Sequence, residues 1–123
     1  MTLNYGEAMH WYKAAAAQGH AKAMYDIGTL FENGQGVERS MPDAARWYRD
    51  AAERHEPAAA HSFAILYETG QGVEPDKVEA WVWFSIAAEK EFPGASQSRE
   101  ALGAQLSTPE MERARQLLAQ RTA

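Results

Sequence analysis

The sequence contains no cysteine, so disulfides, thiolate nucleophiles and cysteine-ligated zinc sites are excluded. It also lacks any apolar run approaching the ~20 residues that a membrane-spanning helix requires. The first residues do not show the basic stretch followed by an apolar stretch that marks a signal peptide. We therefore expect a cytoplasmic protein if the chain is complete, and a periplasmic or secreted one if a signal peptide has been removed.

Basic residues are scarce relative to acidic ones. The chain has 12 Lys and Arg against 17 Asp and Glu, which gives a formal charge of −5. The basic residues are also scattered, whereas nucleic-acid-binding proteins cluster Lys and Arg on one face. We therefore expect no nucleic-acid partner. With 46% apolar residues, the 123-residue chain can fill the core of one compact domain or a short repeat array.

The dominant feature that is present is an internal repeat of 36 residues. The sequence Gly-Gln-Gly-Val occurs at residues 34–37 and again at residues 70–73. Trp11 recurs at the same spacing as Trp47 and Trp83. Overlaying residues 24–59 on residues 60–95 without a gap gives 14 identities in 36 positions. A fixed period of this length is typical of stacked supersecondary units, so we expect a repeat architecture.

Each repeat predicts two helices, and the second of them has the clearer pattern. Its predicted N-caps are Asn4, Ser40 and Asp76, each followed three residues later by an acid that suits the first turn of a helix. Apolar residues then recur at the spacing of one helical face. The three tryptophans belong to this face, and we interpret them as core residues rather than as a ligand-binding box.

The first helix of each repeat is predicted over residues 21–33 and 57–69. Its apolar ridge contains Ile27 and Leu30, and Gly28 lies within that ridge. Because glycine costs ~1 kcal/mol in a helix interior, we expect Gly28 to permit close helix packing. Gly34 and Gly70 follow the helices and are predicted to close their last turns in the left-handed conformation.

These residues resemble the Sel-one-like repeat, a 36-residue relative of the tetratricopeptide repeat. The resemblance covers about residues 4–95. It lies in the first helix, Ala23-x3-Ile27-Gly28-x2-Phe31, in the Gly-x-Gly-Val loop, and in the Trp-Tyr-x2-Ala-Ala pattern of the second helix. It implies an all-α fold, a right-handed α-solenoid of antiparallel helical hairpins with about seven helices.

Four positions depart from the family pattern. Phe63 and Ala64 replace the usual Leu-Gly pair of the first helix. His55 and Glu91 stand between hairpins, where the first unit keeps the usual glycine, Gly19.

We expect one repeat domain over residues 1–123. Residues 4–20 form the second helix of an incomplete first repeat, residues 21–56 and 57–92 form two repeats, and residues 93–123 form a C-terminal capping helix pair. Ser107 and Glu110 are a predicted capping box, with Pro109 in the first turn of the last helix. A more polar terminal hairpin is what a stacked array needs at its end.

The first predicted helix has no hairpin partner, so part of its surface is expected to be uncovered. We expect this uncovered face to include Leu3, Tyr5 and Met9. It is either a consequence of truncation or a surface for a homodimer.

No pattern in the sequence indicates catalysis. His55 and Glu56 resemble the start of H-E-x-x-H, but His61 comes two positions too late and Pro57 interrupts the helix. The Gly-Gln-Gly sequence is not followed by Gly-Lys-Ser/Thr, so it does not predict a phosphate-binding loop. We expect no catalytic residue, no metal site, no cofactor and no enzymatic activity.

Stacked helical hairpins form a curved ribbon whose concave side, lined by the first helices, suits an extended peptide or a partner's helix. By resemblance to tetratricopeptide repeats, the groove-facing positions lie beside the apolar ridge. The predicted partner-binding residues are Lys22, Tyr25, Thr29, Glu32, Asn33, His61, Ile65, Glu68 and Gln97. The predicted function is that of a bacterial scaffold or adaptor that binds a protein or peptide whose identity the sequence does not give.

Two alternatives remain. One is also a binding function: an immunity-type inhibitor of a toxic effector, which would need a strongly charged concave face. The other comes from a different class: an enzyme or enzyme subunit, which would need a nucleophile–base pair or a metal cluster.

Overall fold

The computed structural model describes residues 4–123, which form seven α-helices and no strand. The prediction of an all-α fold with about seven helices is therefore confirmed. In chain order the helices are α1 (Tyr5–Ala17), α2 (Ala21–Asn33), α3 (Met41–Glu53), α4 (Pro57–Thr69), α5 (Lys77–Glu89), α6 (Ala95–Gly103) and α7 (Thr108–Thr122).

The helices pack mainly against their neighbours in the chain. α2 with α3 and α4 with α5 form two helical hairpins, and α3 also packs against α4 and so joins the hairpins. α1 packs on α2 at one end. At the other end, α6 and α7 both pack against α5. One continuous core consequently runs along α1 to α6, and a smaller apolar cluster lies between α5 and α7.

Repeated N-caps start the second helices. The side-chain oxygens of Asn4, Ser40 and Asp76 accept hydrogen bonds from the backbone N–H three residues later, at 3.0, 3.3 and 3.1 Å. Ser107 and Glu110 form the reciprocal capping box at the start of α7. All four capping predictions are confirmed, and each satisfies a backbone donor that a helix start leaves free.

The loop after each first helix fixes the spacing between hairpins. Gly34 and Gly70 have φ of 65° and 72°, as predicted for residues that close a helix in the left-handed region. The second glycine of each loop lies against the backbone of the preceding second helix. A Cβ on Gly36 would come within 2.7 Å of the Tyr5 carbonyl carbon, and one on Gly72 would come still closer to the Met41 carbonyl.

The hairpin α2–α3 depends on a close contact between Gly28 and Tyr48. A Cβ on Gly28 would lie 2.5 Å from Cε1 of the Tyr48 ring. The Tyr48 hydroxyl donates a 2.7 Å hydrogen bond to Oε1 of Glu32, which holds the ring in place. In the next hairpin the equivalent residues are Ala64 and Phe84, both almost fully buried. The predicted packing reason for Gly28 is confirmed.

The interpretation of the three tryptophans as equivalent core residues is wrong for Trp11. Trp83 is 6% exposed, and its ring centroid lies 5.4 Å from that of Phe63 on α4. Trp47 is half-buried against the core, whereas Trp11 is 69% exposed. The difference follows from position in the stack, because α4 covers Trp83 whereas no helix precedes α1 among residues 4–123.

The face of α1 that was expected to be uncovered is also different from the observed one. Met9 is 6% exposed, and Tyr5 is half-buried with its hydroxyl accepting a hydrogen bond from Nε2 of Gln35 at 3.0 Å. Met9 belongs to the core that α1 shares with α2, and Tyr5 packs against that core. Leu3 lies outside the described residues. The exposed side of α1 instead carries Glu7 and Trp11.

Within residues 4–123, two residues other than glycine adopt positive φ, and both lie at the junctions between hairpins. His55 has φ of 72° and Glu91 has φ of 59°, where the first junction has Gly19 at 86°. The backbone N–H of each residue donates a hydrogen bond to the carbonyl oxygen three residues earlier, as the N–H of Gly19 does. These departures from the family pattern therefore keep the turn and carry the strain of a side chain in the left-handed region.

We expect Gly28→Ala to destabilise the protein by about 1–3 kcal/mol, because the new methyl group would overlap the tethered Tyr48 ring. Urea unfolding followed by circular dichroism measures this change. The same substitution made with Tyr48→Phe should cost less than the sum of the two single changes, since the ring is then free of Glu32. A gain of ~1 kcal/mol for Gly28→Ala, as helix propensity alone dictates, would contradict the close contact.

We expect His55→Gly to raise the free energy of unfolding by about 1 kcal/mol, because it removes the strain of a side chain at positive φ. The matched control is Arg54→Gly. Arg54 has φ of −97°, so glycine relieves no strain there and should lower stability. Equal losses in the two variants would show that position 55 is unstrained.

Candidate protein-binding surface

The nine predicted partner-binding residues lie on the first helices α2, α4 and α6, and none of them is buried. We call the surface that they form the first-helix face. Its exposed members are Lys22, Asn33, Ile65, Glu68 and Gln97, and its half-buried members are Tyr25, Thr29, Glu32 and His61. Thus each predicted residue presents some of its side chain to solvent, as a partner-binding residue must.

Two members of the first-helix face stack on the aromatic core of the hairpin behind them. The Tyr25 ring centroid lies 5.7 Å from that of Tyr48, and 36 residues later the His61 ring lies 5.5 Å from that of Phe84. His61 also stacks at 4.9 Å on Phe92. Aromatic pairs at these distances restrain both rings. The face therefore repeats one restrained ring for each hairpin.

Burial lowers the pKa of His61 below its usual value of 6.5. The neutral imidazole is therefore the dominant form near pH 7. In that form the ring offers one N–H donor and one nitrogen acceptor beside its aromatic neighbours. Position 61 consequently supplies hydrogen-bonding capacity without adding a charge to the first-helix face.

The N-terminal part of the face is organised by contacts within α2. Lys22 Nζ lies 3.5 Å from Oδ1 of Asp26 and 5.5 Å from the centroid of the Tyr25 ring. The Thr29 hydroxyl donates to the Asp26 carbonyl at 2.7 Å. Its lone pairs remain available to an external donor.

The two glutamates at equivalent positions have different surroundings. Glu32 is half-buried and accepts the hydrogen bond from Tyr48, whose pKa is raised far above its usual value by burial and by this carboxylate. Glu68 is exposed, and the hairpin behind it has Phe84 where the first has Tyr48. Glu32 is therefore held as part of the hairpin, whereas Glu68 presents its charge at the surface.

Ile65 is the apolar member of the first-helix face. It is 37% exposed and, with Trp11, is one of two large hydrophobic residues that the described chain leaves exposed. Covering an exposed isoleucine with a partner stabilises the complex by roughly 25 cal/mol per Å² of apolar surface that is buried. Ile65 is thus the one aliphatic side chain among the nine residues of this face.

A cavity of about 460 Å³ lies on a different part of the molecule, between α3, α4, α5 and the end of α7. Its apolar lining includes Phe63, Tyr67 and Trp83, and its charged lining includes Arg49 and Lys90. None of the nine predicted residues lines it. Burial and the nearby Glu79 carboxylate raise the pKa of the Tyr67 phenol.

The last turn of α7 closes one side of this cavity through Arg121. Its Nη1 donates to Oε2 of Glu79 at 2.5 Å, and its Nη2 donates to Oε1 at 2.7 Å. The same guanidinium lies 5.2 Å from the Trp83 ring centroid. The 36-residue repeat does not predict this site, because Arg121 lies outside its register. The sequence signal that could have indicated it is the acidic residue that recurs four positions before each of Trp11, Trp47 and Trp83.

Among residues 4–123, no group of three or more histidine or acidic side chains is arranged to hold a metal ion. Of the helices in that range, none has the length and apolar character needed to cross a bilayer.

Comparison with protein families gives a match to the Sel1 repeat over residues 1–20, 21–55 and 57–92. A search of curated proteins found no match.

Two solved structures are similar to this chain. One is the crystal structure of c5321, a protective antigen present in uropathogenic Escherichia coli strains and displaying an SLR fold, with a TM-score of 0.90 and 31% identity over 95% of this chain. The other is a Sel1 repeat protein from Oxalobacter formigenes, with a TM-score of 0.69 and 38% identity over 70% of this chain. The present chain spans 25% of the first protein and 35% of the second. With its repeated hairpins, loops and caps, the chain belongs to the Sel1 repeat family and has its α-solenoid fold.

Proposed function

We propose that this protein is an interaction scaffold or adaptor whose first-helix face binds a peptide or a partner protein. Sel1 repeat solenoids are typically protein-interaction scaffolds, which supports the general role. The observation that carries the finer proposal is that none of the nine predicted residues on α2, α4 and α6 is buried, five being exposed and four half-buried. They form a surface of mixed chemistry on rigid helices, which is the arrangement that recognises specific segments.

The partner is a segment with both apolar and polar side chains. Ile65 offers an apolar contact, Tyr25 and His61 offer restrained rings, and Glu68 offers a charge at the edge. Positions repeat from one hairpin to the next, so an extended peptide or a helix lying across α2 and α4 would meet one ring and one glutamate on each of these helices. The mixed signs of charge give no support to an immunity-type inhibitor.

Sel1 repeat proteins are generally non-catalytic, and we propose the same for this chain. The likeness to a protective antigen concerns a protein of which this chain spans a quarter, so we carry over its SLR fold and not its antigenic role. A homodimer of this chain would use the exposed side of α1 in place of the face expected from the sequence.

We expect the double variant Ile65→Asp and Glu68→Lys to lose at least tenfold in the amount of partner captured from source cells, because it places a charge on the apolar contact and reverses the neighbouring one. Capture is measured by quantitative mass spectrometry with immobilised protein. Both residues are exposed, so the melting temperature should stay unchanged. Tyr25 is unsuitable for this test because its ring packs on Tyr48.

The matched control is Glu112→Lys with Arg113→Asp, which reverses two exposed charges on α7. This control should capture the same proteins as the unmodified chain. If the Ile65 and Glu68 variant also captures them undiminished, the first-helix face is not the binding surface.

A further inference from the structure

The second helices of the solenoid repeat a pair of residues that the proposed function does not use. In each, an acidic residue in the first turn stands four positions before a tryptophan, so both side chains lie on one side of the helix. We call these the acid–Trp pairs. They are Glu7 with Trp11 on α1, Asp43 with Trp47 on α3, and Glu79 with Trp83 on α5.

The pair on α5 is occupied by an arginine from the same chain. Arg121 donates two hydrogen bonds to the Glu79 carboxylate, at 2.5 and 2.7 Å, and its guanidinium lies 5.2 Å from the centre of the Trp83 ring. A planar guanidinium is suited to this site because it can pair with both carboxylate oxygens and lie over an aromatic face at the same time. The structure therefore displays the ligand chemistry of an acid–Trp pair directly.

The pair on α3 is partly satisfied within its own helix. Asp43 forms an ion pair with Arg46, three residues along α3, and Trp47 is half-buried against the core. Arg46 is itself exposed. An external cation would have to displace Arg46 to bind there.

The pair on α1 is open. Glu7 is exposed, and among residues 4–123 it has no ion-pair partner. Trp11 is 69% exposed and touches His10 edge-on at 5.5 Å between ring centroids. Glu7 also has the backbone setting of Glu79, because in both helices the preceding N-cap side chain accepts from the backbone N–H of the acid.

We propose that Glu7 and Trp11 bind an arginine side chain of a partner protein, in the manner in which Glu79 and Trp83 hold Arg121. This site deepens the proposed scaffold function by giving it a second contact surface, and it rests on that function. The occupant follows from charge complementarity, since a carboxylate beside an indole face favours a flat cation over an apolar group or an anion. Lysine fits less well because its ammonium cannot form the paired hydrogen bonds.

The test uses the full chain and a synthetic peptide with the sequence of residues 108–122. Its penultimate residue is Arg121, the arginine that occupies the acid–Trp pair of α5. The indole N–H resonance of Trp11, assigned with Trp11→Phe, is followed by ¹⁵N-correlated NMR during the titration. We expect a saturable shift of this resonance. Glu7→Gln in the protein should weaken the binding at least tenfold, and Asp43→Asn should leave it unchanged.

Two altered peptides decide whether the arginine is responsible. A peptide carrying Arg121→Gln should bind at Trp11 at least tenfold more weakly than the original peptide. The affinity of a peptide carrying Arg121→Lys should lie between those of the original and the glutamine peptide. The proposal is overturned if the Trp11 resonance does not shift at millimolar peptide, or if the glutamine peptide binds as well as the original.

Failure of the first-helix face and failure of this site are separable. The Ile65→Asp and Glu68→Lys protein leaves α1 untouched and should bind the peptide normally. A peptide that shifts Trp11 in that variant supports the arginine site whatever the variant captures from cells.

Discussion

The contact on which the structure depends is the packing of an aromatic ring from each second helix across a position with little or no side chain on the first helix. In α2–α3 that contact joins Tyr48 to Gly28 so closely that even a methyl group has no room. In α4–α5 the equivalent residues are Phe84 and Ala64, which are also buried. The close approach buries alanines of both helices, and the packing of α3 on α4 then joins the two hairpins into one solenoid.

The aromatic rings at this contact also support the first-helix face, which is the surface that we propose for binding. Because Tyr48 and Phe84 fill the interior of each hairpin, Tyr25 and His61 are stacked over them and present their outer edges to solvent. Restrained side chains lose less conformational entropy on binding than free ones. The hairpin core thus prepares the first-helix face, although that face contributes little to the core itself.

Repetition made most of the fold predictable from the sequence. The helices, their N-caps and the glycines that end them were predictable from the 36-residue repeat. These features depend on local residues, and each repeat contains all of those residues. The exposure of Trp11 was not predictable in this way, because burial of a repeated residue depends on which helix stands beside it. The contact of Arg121 with Glu79 and Trp83 was missed for a related reason, as it joins a helix outside the register to one within it.

Residue-resolved amide hydrogen exchange of the intact chain tests the stacked-hairpin account most directly. If equivalent contacts join each helix mainly to its neighbours, the interior helices α3, α4 and α5 should open last and together. Their slowest amides should then exchange at least tenfold more slowly than those of α1 and α7, which are covered on fewer sides. Equal protection of all seven helices, or greater protection of α1 than of α4, would contradict the account.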